Sequence, residues 1–388
     1  MDTFNLSGKA IIAGVGETAM GKHPGKSSLA LHALASKLAL EDAGLTKSDI
    51  DGVLTCGSLV DNWPHHSGAF CEYFDIQPKY TDTVTQGGAG SCTMVQYAAM
   101  LIANGVCQTV LTVGADNQLS AMTRNEAVQS FAKNRHPQYE YPFGLSTPAG
   151  YALIAQRHFH EFGTTREHLA NIAVVCRKHA SLNPNAQVRN PLSLEEALNS
   201  KPIASPLHLS DCCISSDGGG AVIVTSADRS RDLKNHPIVI LGTGQGFSYE
   251  HICQAHNITD TGVRRAGKVA FEMANVEPKD IDFVELYDCF TITVLIQLED
   301  YGFCPKGEGG SFVAEGHIQS GGKLPVNTNG GMLSFGNPGI AGGIFHIIEA
   351  VRQLRGDCGP RQVVGAKLAL VGGVGGIFSH TSTLILGR

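Results

Sequence analysis

The sequence predicts an α/β protein made of two similar halves, each a βαβ-type unit that runs on through a glycine-rich loop into a buried helix. Three observations carry that expectation. An apolar strand pattern at 9–15, an amphipathic helix pattern at 29–43 closed by Gly44, and a second strand at 50–54 return in the same order at 238–243, 262–274 and 281–286. The connections agree as well: Lys-Ser-Asp-Ile-Asp at 47–51 is echoed by Pro-Lys-Asp-Ile-Asp at 278–282. Each half then meets a glycine-rich stretch before an apolar helical run, 87–92 in the first and 330–343 in the second. Recurrence of one supersecondary unit marks a duplication, and apolar strands alternating with helices imply sheets covered on both faces.

The remaining elements follow in order. The first glycine loop opens a helix through 94–103, which leads to a strand at 109–114. The stretch 117–216 is more polar, with helix patterns at 148–162 and 165–179 and a Ser193-Leu-Glu-Glu capping box, and reads as an inserted cap over the site. Gly242-Thr-Gly-Gln-Gly follows a strand without the helix and glycine spacing that a dinucleotide loop needs. A strand at 367–372 and a closing strand at 383–386 complete the second half. The expected division is 1–235 for the N-terminal half, which carries the cap, and 236–388 for the C-terminal half.

A chain of 388 residues with 46 glycines, 43% hydrophobic and 16% charged residues fits two fused units around a large core with many tight turns. The formal net charge of −6 offers no basic footprint, which argues against a nucleic-acid partner. No apolar run approaches the roughly 20 residues of a membrane span, and the N-terminus lacks the basic start and apolar core of a signal peptide, so a cytoplasmic location is expected. The 11 cysteines then read as reduced thiols. None has zinc spacing, and neither His65-His66 nor His158 with His160 has a third ligand nearby, so no metal is expected.

Cys92 ends the run Gln86-Gly-Gly-Ala-Gly-Ser-Cys at a helix start, where unpaired N–H groups and the helix dipole favour thiolate. Three further stretches stand beside it: Ser216-Asp-Gly-Gly-Gly-Ala-Val-Ile-Val-Thr-Ser, Val284-Glu-Leu-Tyr-Asp-Cys-Phe-Thr, and Val326-Asn-Thr-Asn-Gly-Gly-Met-Leu-Ser-Phe-Gly-Asn-Pro-Gly. On these four stretches the chain resembles the thiolase superfamily over nearly its full length, nearest the sterol-carrier-protein-linked, lipid-transfer branch. The resemblance implies a five-layer α-β-α-β-α thiolase fold with an inserted loop region. It also implies a nucleophile at Cys92 that takes an acyl group from a coenzyme A thioester, the substrate rather than a resident cofactor. Backbone N–H groups of the glycine loops would hold the thioester oxygen.

Three departures shape the functional expectation. Gly336-Asn337-Pro338 stands where the family commonly has Gly-His-Pro; Asn337 can donate and accept a hydrogen bond but cannot act as a base. Tyr287 precedes Asp-Cys-Phe where a histidine is frequent, and 369–376 lacks the second reactive cysteine. His380 and Tyr287 remain as proton carriers, with Asn337 on the thioester oxygen. The first expectation is thiolytic C–C cleavage of a branched or aromatic β-ketoacyl-CoA by a thiolase-like acyltransferase. The alternatives are retro-aldol cleavage of a side-chain acyl-CoA by Tyr287, in a Glu-Leu-Tyr-Asp context that resembles such a sub-branch, and a non-catalytic acyl-CoA or lipid-binding subunit. The aromatic loops around Trp63, His66 and Phe70, and Tyr139, Tyr141, Phe143 and Tyr151, are candidate walls for an acyl chain. The resemblance further implies a homodimer and, in this branch, a small OB-fold, zinc-ribbon partner chain.

Overall fold

The computed structural model describes residues 6–61 and 63–388; residues 1–5 of the N-terminal stretch lie outside them. The first half runs β1 (Ala10–Glu17), α1 (Ser28–Ala43), β2 (Gly52–Thr55), α2 (His66–Phe74), β3 (Tyr80–Thr83), α3 (Gly90–Ala103) and β4 (Thr109–Asp116). The insertion follows as α4 (Gln118–Ala121), α5 (Arg124–Ala132), α6 (Thr147–Phe162), α7 (Arg166–Ser181), α8 (Leu194–Leu198) and the hairpin β5 (Pro202–Ala204) and β6 (Leu207–His208). Strand β7 (Gly218–Ser226) closes the half. The second half is β8 (Ile238–Phe247), α9 (Gly262–Ala274), β9 (Phe283–Leu286), α10 (Thr291–Asp300), α11 (Gly309–Ala314), α12 (Gly331–Ser334), α13 (Ile344–Arg355), β10 (Leu368–Gly375) and β11 (His380–Gly387).

Strand order exposes the duplication. The first half pairs as β3-β2-β4-β7-β1 and the second as β8-β11-β10-β9, and a short antiparallel contact between β1 and β8 (Ile11 with Val239, Ile12 with Ile238) joins them into nine strands. Strand β2 lies parallel to β3 and β4; β9 lies parallel to β10 and, through the Val284–Val326 bridge, to the segment in the place of β3. The echoed connections do the same work in each copy. Asp51 accepts hydrogen bonds from the N–H groups of Gln108 and Thr109, and Asp282 from those of Lys367 and Leu368, so each pins the start of the neighbouring parallel strand.

Glycine lets the outer helices lie against their strands. A Cβ on Gly16 would stand 2.3 Å from the Ala39 nitrogen of α1, and one on Gly244 would stand 2.1 Å from the Ala266 oxygen of α9. Gly242, Gly244 and Gly246 are therefore packing glycines of β8, facing helix backbone. Helices α3 and α13 touch strands of both halves, while α1 covers the first half-sheet and α9 the second. The result is five layers, α-β-α-β-α. The central position explains why α13 is buried from Ile344 through Val351: a helix between two sheets has no polar face. No helix among the described residues is long and apolar enough to cross a membrane.

The outer layer of the first half holds a buried histidine pair. His32 and His66 have ring centroids 4.8 Å apart, and burial, aided by His66, pushes His32 down to about 3. His32 accepts the Ala115 N–H (3.2 Å), which needs a neutral ring. A folded-state pKa below the ordinary His value means the unfolded chain binds the extra proton, so stability is lost as pH falls below about 6.5. Between pH 6.5 and 5 the loss from His32 is on the order of 2 kcal/mol, read as the difference in urea-derived stability between wild type and His32→Gln, because Asp116 and Glu285, raised to about 6 by burial, gain stability over the same range.

Candidate active site

The two central helices begin on glycine-rich 3₁₀ turns, Gly87–Ala89 before α3 and Gly339–Gly343 before α13, and these turns touch. A Cβ on Gly343 would stand 2.7 Å from the Gly88 carbonyl oxygen. Gly87 has φ +53°, a left-handed conformation that favours glycine. From the other side the end of β10 closes in: a Cβ on Gly375 would meet the Gln86 oxygen at 2.0 Å. Backbone thus packs on backbone around one point.

Tyr287 fills the space above that point. It follows β9, its N–H donates to the Gly372 oxygen (3.0 Å), and its ring lies on Gly88, where an added Cβ would be 2.2 Å from the phenol oxygen. The residue is 7% exposed, and among the described residues its hydroxyl has no hydrogen-bond partner. Burial raises the phenol well above its ordinary value, with the Cys289, Cys213 and Asp288 neighbours adding to the shift. It is a neutral acid, not a phenolate.

Beside it, Asp288 accepts the N–H groups of Met332 (2.8 Å) and Leu333 (3.2 Å) in the first turn of α12, tying the tyrosine turn to the loop that carries Asn337. His346 of α13 lies between two carboxylates: Nδ1 is 3.4 Å from Glu285, and Nε2 is 3.2 Å from Asp288 in an ion pair without hydrogen-bond alignment. Burial alone would lower this imidazole. The Asp288 and Glu285 carboxylates outweigh that and hold it at about 9, so Glu285 and Asp288 share a buried cation.

Asn337 is fixed through its backbone: its N–H donates to Ser216 Oγ, and its carbonyl accepts from the Ser216 N–H and Gln118 Nε2. The sequence places its amide on a thioester oxygen. In the structure Nδ2 instead donates to Cys213 Sγ at 3.1 Å, and Oδ1 is buried without a partner. Cys213 is half-buried beside it, and burial pushes its thiol up to about 12 against the opposing Asn337 hydrogen bond. Sequence reasoning missed both Cys213 and His346. The available signals were the unexplained Cys212-Cys213 pair and a histidine inside an apolar helix.

Cys92 and His380 lie apart from this group. Cys92 is the third residue of α3, 1% exposed, with its sulfur toward Ser382 of β11 and the central core. Burial pushes its thiol up to about 12; the Ser382 hydrogen bond acts the other way and does not compensate. The helix start therefore does not by itself ensure an activated thiolate, because desolvation opposes the helix dipole. His380 begins β11 on the outer side: its ring rests on Phe247 (5.3 Å), and Nδ1 bonds Ser379 Oγ (2.7 Å) beside Glu250. None of its hydrogen bonds or ring contacts reaches Tyr287 or Asn337.

The expected aromatic walls divide. Tyr139 and Phe143 line an open cavity of about 990 Å³ with Ala149, Leu153, Ile252 and Ile258, whereas Tyr141 is absent from its lining. Tyr151, on the opposite face of α6, packs on Phe290 and donates to the Gly376 oxygen (2.9 Å). Phe70 and His66 belong to the outer layer of the first half, with Phe70 stacked on Phe74.

Comparison with known proteins agrees with this architecture. The thiolase N-terminal domain matches residues 10–228, and the thiolase C-terminal domain-like family matches 244–388. The 17-hydroxy-3-oxo-4-pregnene-20-carboxyl-CoA lyase of Mycobacterium tuberculosis is 38% identical over 98% of this chain and 100% of its own. The acetyl-CoA acetyltransferase of Methanothermobacter thermautotrophicus is 33% identical over 97% of this chain and 99% of its own. A solved structure, the Ltp2-ChsH2(DUF35) aldolase, superposes with a TM-score of 0.89 at 38% identity, covering 99% of this chain and 98% of the other. With both thiolase domains matched and lyase and acetyltransferase relatives aligned almost end to end, the chain belongs to the thiolase family and is a thiolase-like enzyme.

Proposed function

We propose that the protein cleaves a carbon–carbon bond of a β-hydroxyacyl-CoA thioester by retro-aldol chemistry, with Tyr287 moving the proton. The observation that carries this reading is the unpartnered Tyr287 phenol lying on the Gly88 turn where the two central helices meet. The aldolase and CoA-lyase relatives support it. In the reaction the bond between the α- and β-carbons breaks, the β-carbon becomes a carbonyl, and the electron pair passes into the enolate of a shortened acyl-CoA. As the bond breaks, the neutral phenol passes its proton towards the α-carbon while its oxygen takes the substrate's hydroxyl proton in the same event, so the enzyme ends in its starting protonation state. In this reading N–H groups of the glycine turns receive the thioester oxygen.

The second reading is thiolysis with an acyl group carried on cysteine, favoured by the acetyltransferase relative. The two readings separate on Cys92. Under the retro-aldol reading Cys92→Ser keeps turnover within about threefold, and iodoacetamide leaves Cys92 unlabelled in the folded protein, because the sulfur is buried and protonated. A covalent acyl adduct at Cys92 in intact mass, with an inactive serine variant, would establish thiolysis. We further propose that two copies pair around the segment preceding α3, that a small partner chain of the OB-fold, zinc-ribbon kind assembles with them, and that the protein works in the cytoplasm. The DUF35-containing aldolase assembly supports the partner.

A further inference from the structure

We infer that Cys213 is a catalytic residue of this site: its S–H donates a hydrogen bond to the thioester oxygen of the substrate as that oxygen gains enolate charge, and Asn337 is the positioning residue that aims the thiol. The inference rests on the acyl-CoA cleavage reading above, and it deepens that reading by naming the group that meets the thioester.

Four observations converge on it. Residues 212–214 are wedged between the tyrosine turn and α12: the Cys213 N–H donates to the Cys289 oxygen (3.0 Å), and the Ile214 N–H to the Met332 oxygen (3.1 Å). That fixes the Cys213 Cα beside the segment carrying Tyr287. Asn337 Nδ2 donates to the sulfur at 3.1 Å, which occupies a sulfur lone pair and leaves the S–H as the group's free valence. Among the described residues that S–H has no acceptor, although the side chain is only half-buried. Tyr287, a nine-tenths buried residue with Cys213 among its electrostatic neighbours, carries a hydroxyl that also lacks a protein partner. Two donors without protein acceptors, on segments held side by side by the Cys213–Cys289 and Ile214–Met332 hydrogen bonds, are what a substrate oxygen would need here.

Burial keeps the thiol protonated throughout the working range, so it serves as a donor and not as a nucleophile. Donation from the Asn337 amide into the sulfur polarises the S–H further, as in any hydrogen-bond chain. The arrangement also accounts for an asparagine at position 337. An imidazole there would compete for the thiol proton, whereas a carboxamide can only orient it.

The test has two arms. In the first, release of the shortened acyl-CoA from a β-hydroxyacyl-CoA is followed for wild type, Cys213→Ala and Cys213→Ser. Loss of one preorganised donor is expected to lower kcat about 10²-fold in the alanine variant with KM changed less than about threefold, and the serine hydroxyl is expected to recover most of that loss. In the second arm, wild-type protein is labelled with N-ethylmaleimide and mapped by peptide mass, with and without saturating propionyl-CoA. Cys213, half-buried where Cys92 is closed off, should label slowly through its small thiolate fraction, and that labelling should slow at least about tenfold more when the thioester is bound. An alanine variant with wild-type kcat, or Cys213 labelling unaffected by propionyl-CoA, overturns the inference. Wild-type protein that releases no shortened acyl-CoA sinks the cleavage reading instead, and the labelling arm still decides whether the thiol meets the thioester.

Discussion

Tyr287→Phe is expected to lower the rate of C–C cleavage by about 10³-fold, within the range for loss of a positioned proton-transfer group. The substitution removes one oxygen and keeps the ring. Since the hydroxyl bonds to no protein group, its removal strands no partner, and the ring keeps its place on Gly88 and its edge contact with His346 (6.5 Å between centroids). Thermal stability should therefore stay within about 0.5 kcal/mol of wild type. KM should also change little, because the phenol acts on a proton in flight. The combination of a collapsed kcat, an unchanged KM and an unchanged melting temperature separates chemistry from damage. A fully active phenylalanine variant would remove the tyrosine from the mechanism and return the argument to cysteine-bound thiolysis.

The fold was legible in the sequence largely because each half repeats the other. A strand at 238–243 is more secure when 9–15 has the same neighbours, and the aspartates at 51 and 282 prove to tie the same strand starts. Helix ends were legible wherever a residue had a single local task, such as Gly44 in the left-handed cap of α1 or Ser193 at the start of α8. The site was only partly legible. Tyr287 follows the buried strand β9, and the end of such a strand has few directions open to it.

Cys92 illustrates why other residues were not legible. A helix sandwiched between two sheets is apolar all round, so periodicity offers no way to tell which face opens on a cleft and which on the core; Cys92 faces the core. The close approach of the two central helices is made by glycine, at 88 and 343. Cys213 escaped for a different reason. Its role depends on pairing with residue 289 and on an amide at 337, contacts across long stretches of chain that no local pattern records. His380 shows the converse error: closeness in sequence to the end of β10 placed it near the site, but the hairpin turns its ring outward onto Phe247.

His346→Leu is expected to destabilise the fold by about 3–5 kcal/mol at pH 7, the usual cost of removing one partner from a buried ion pair. Leucine fits the volume and suits an apolar helix, so the effect reports charge rather than packing. Glu285 and Asp288, both fully buried, lose the cation between them, and Glu349 adds further negative charge beside Glu285. The pH dependence gives the sign. His346 is held at about 9, above its ordinary value near 6.5, so the folded state binds the extra proton. Its stabilisation is complete below about pH 6.5 and is lost as pH rises through about 9, a decline of about 3 kcal/mol in the wild type. From pH 6 to 9.5 the urea-derived stability should fall about 3 kcal/mol further in wild type than in the leucine variant, because the buried thiols held above their ordinary range add a decline above about pH 8.5 that both proteins share. A leucine variant as stable as wild type at pH 7 would mean that the carboxylates are neutral in the fold, and the buried cation would then have no part in holding the tyrosine turn against α12.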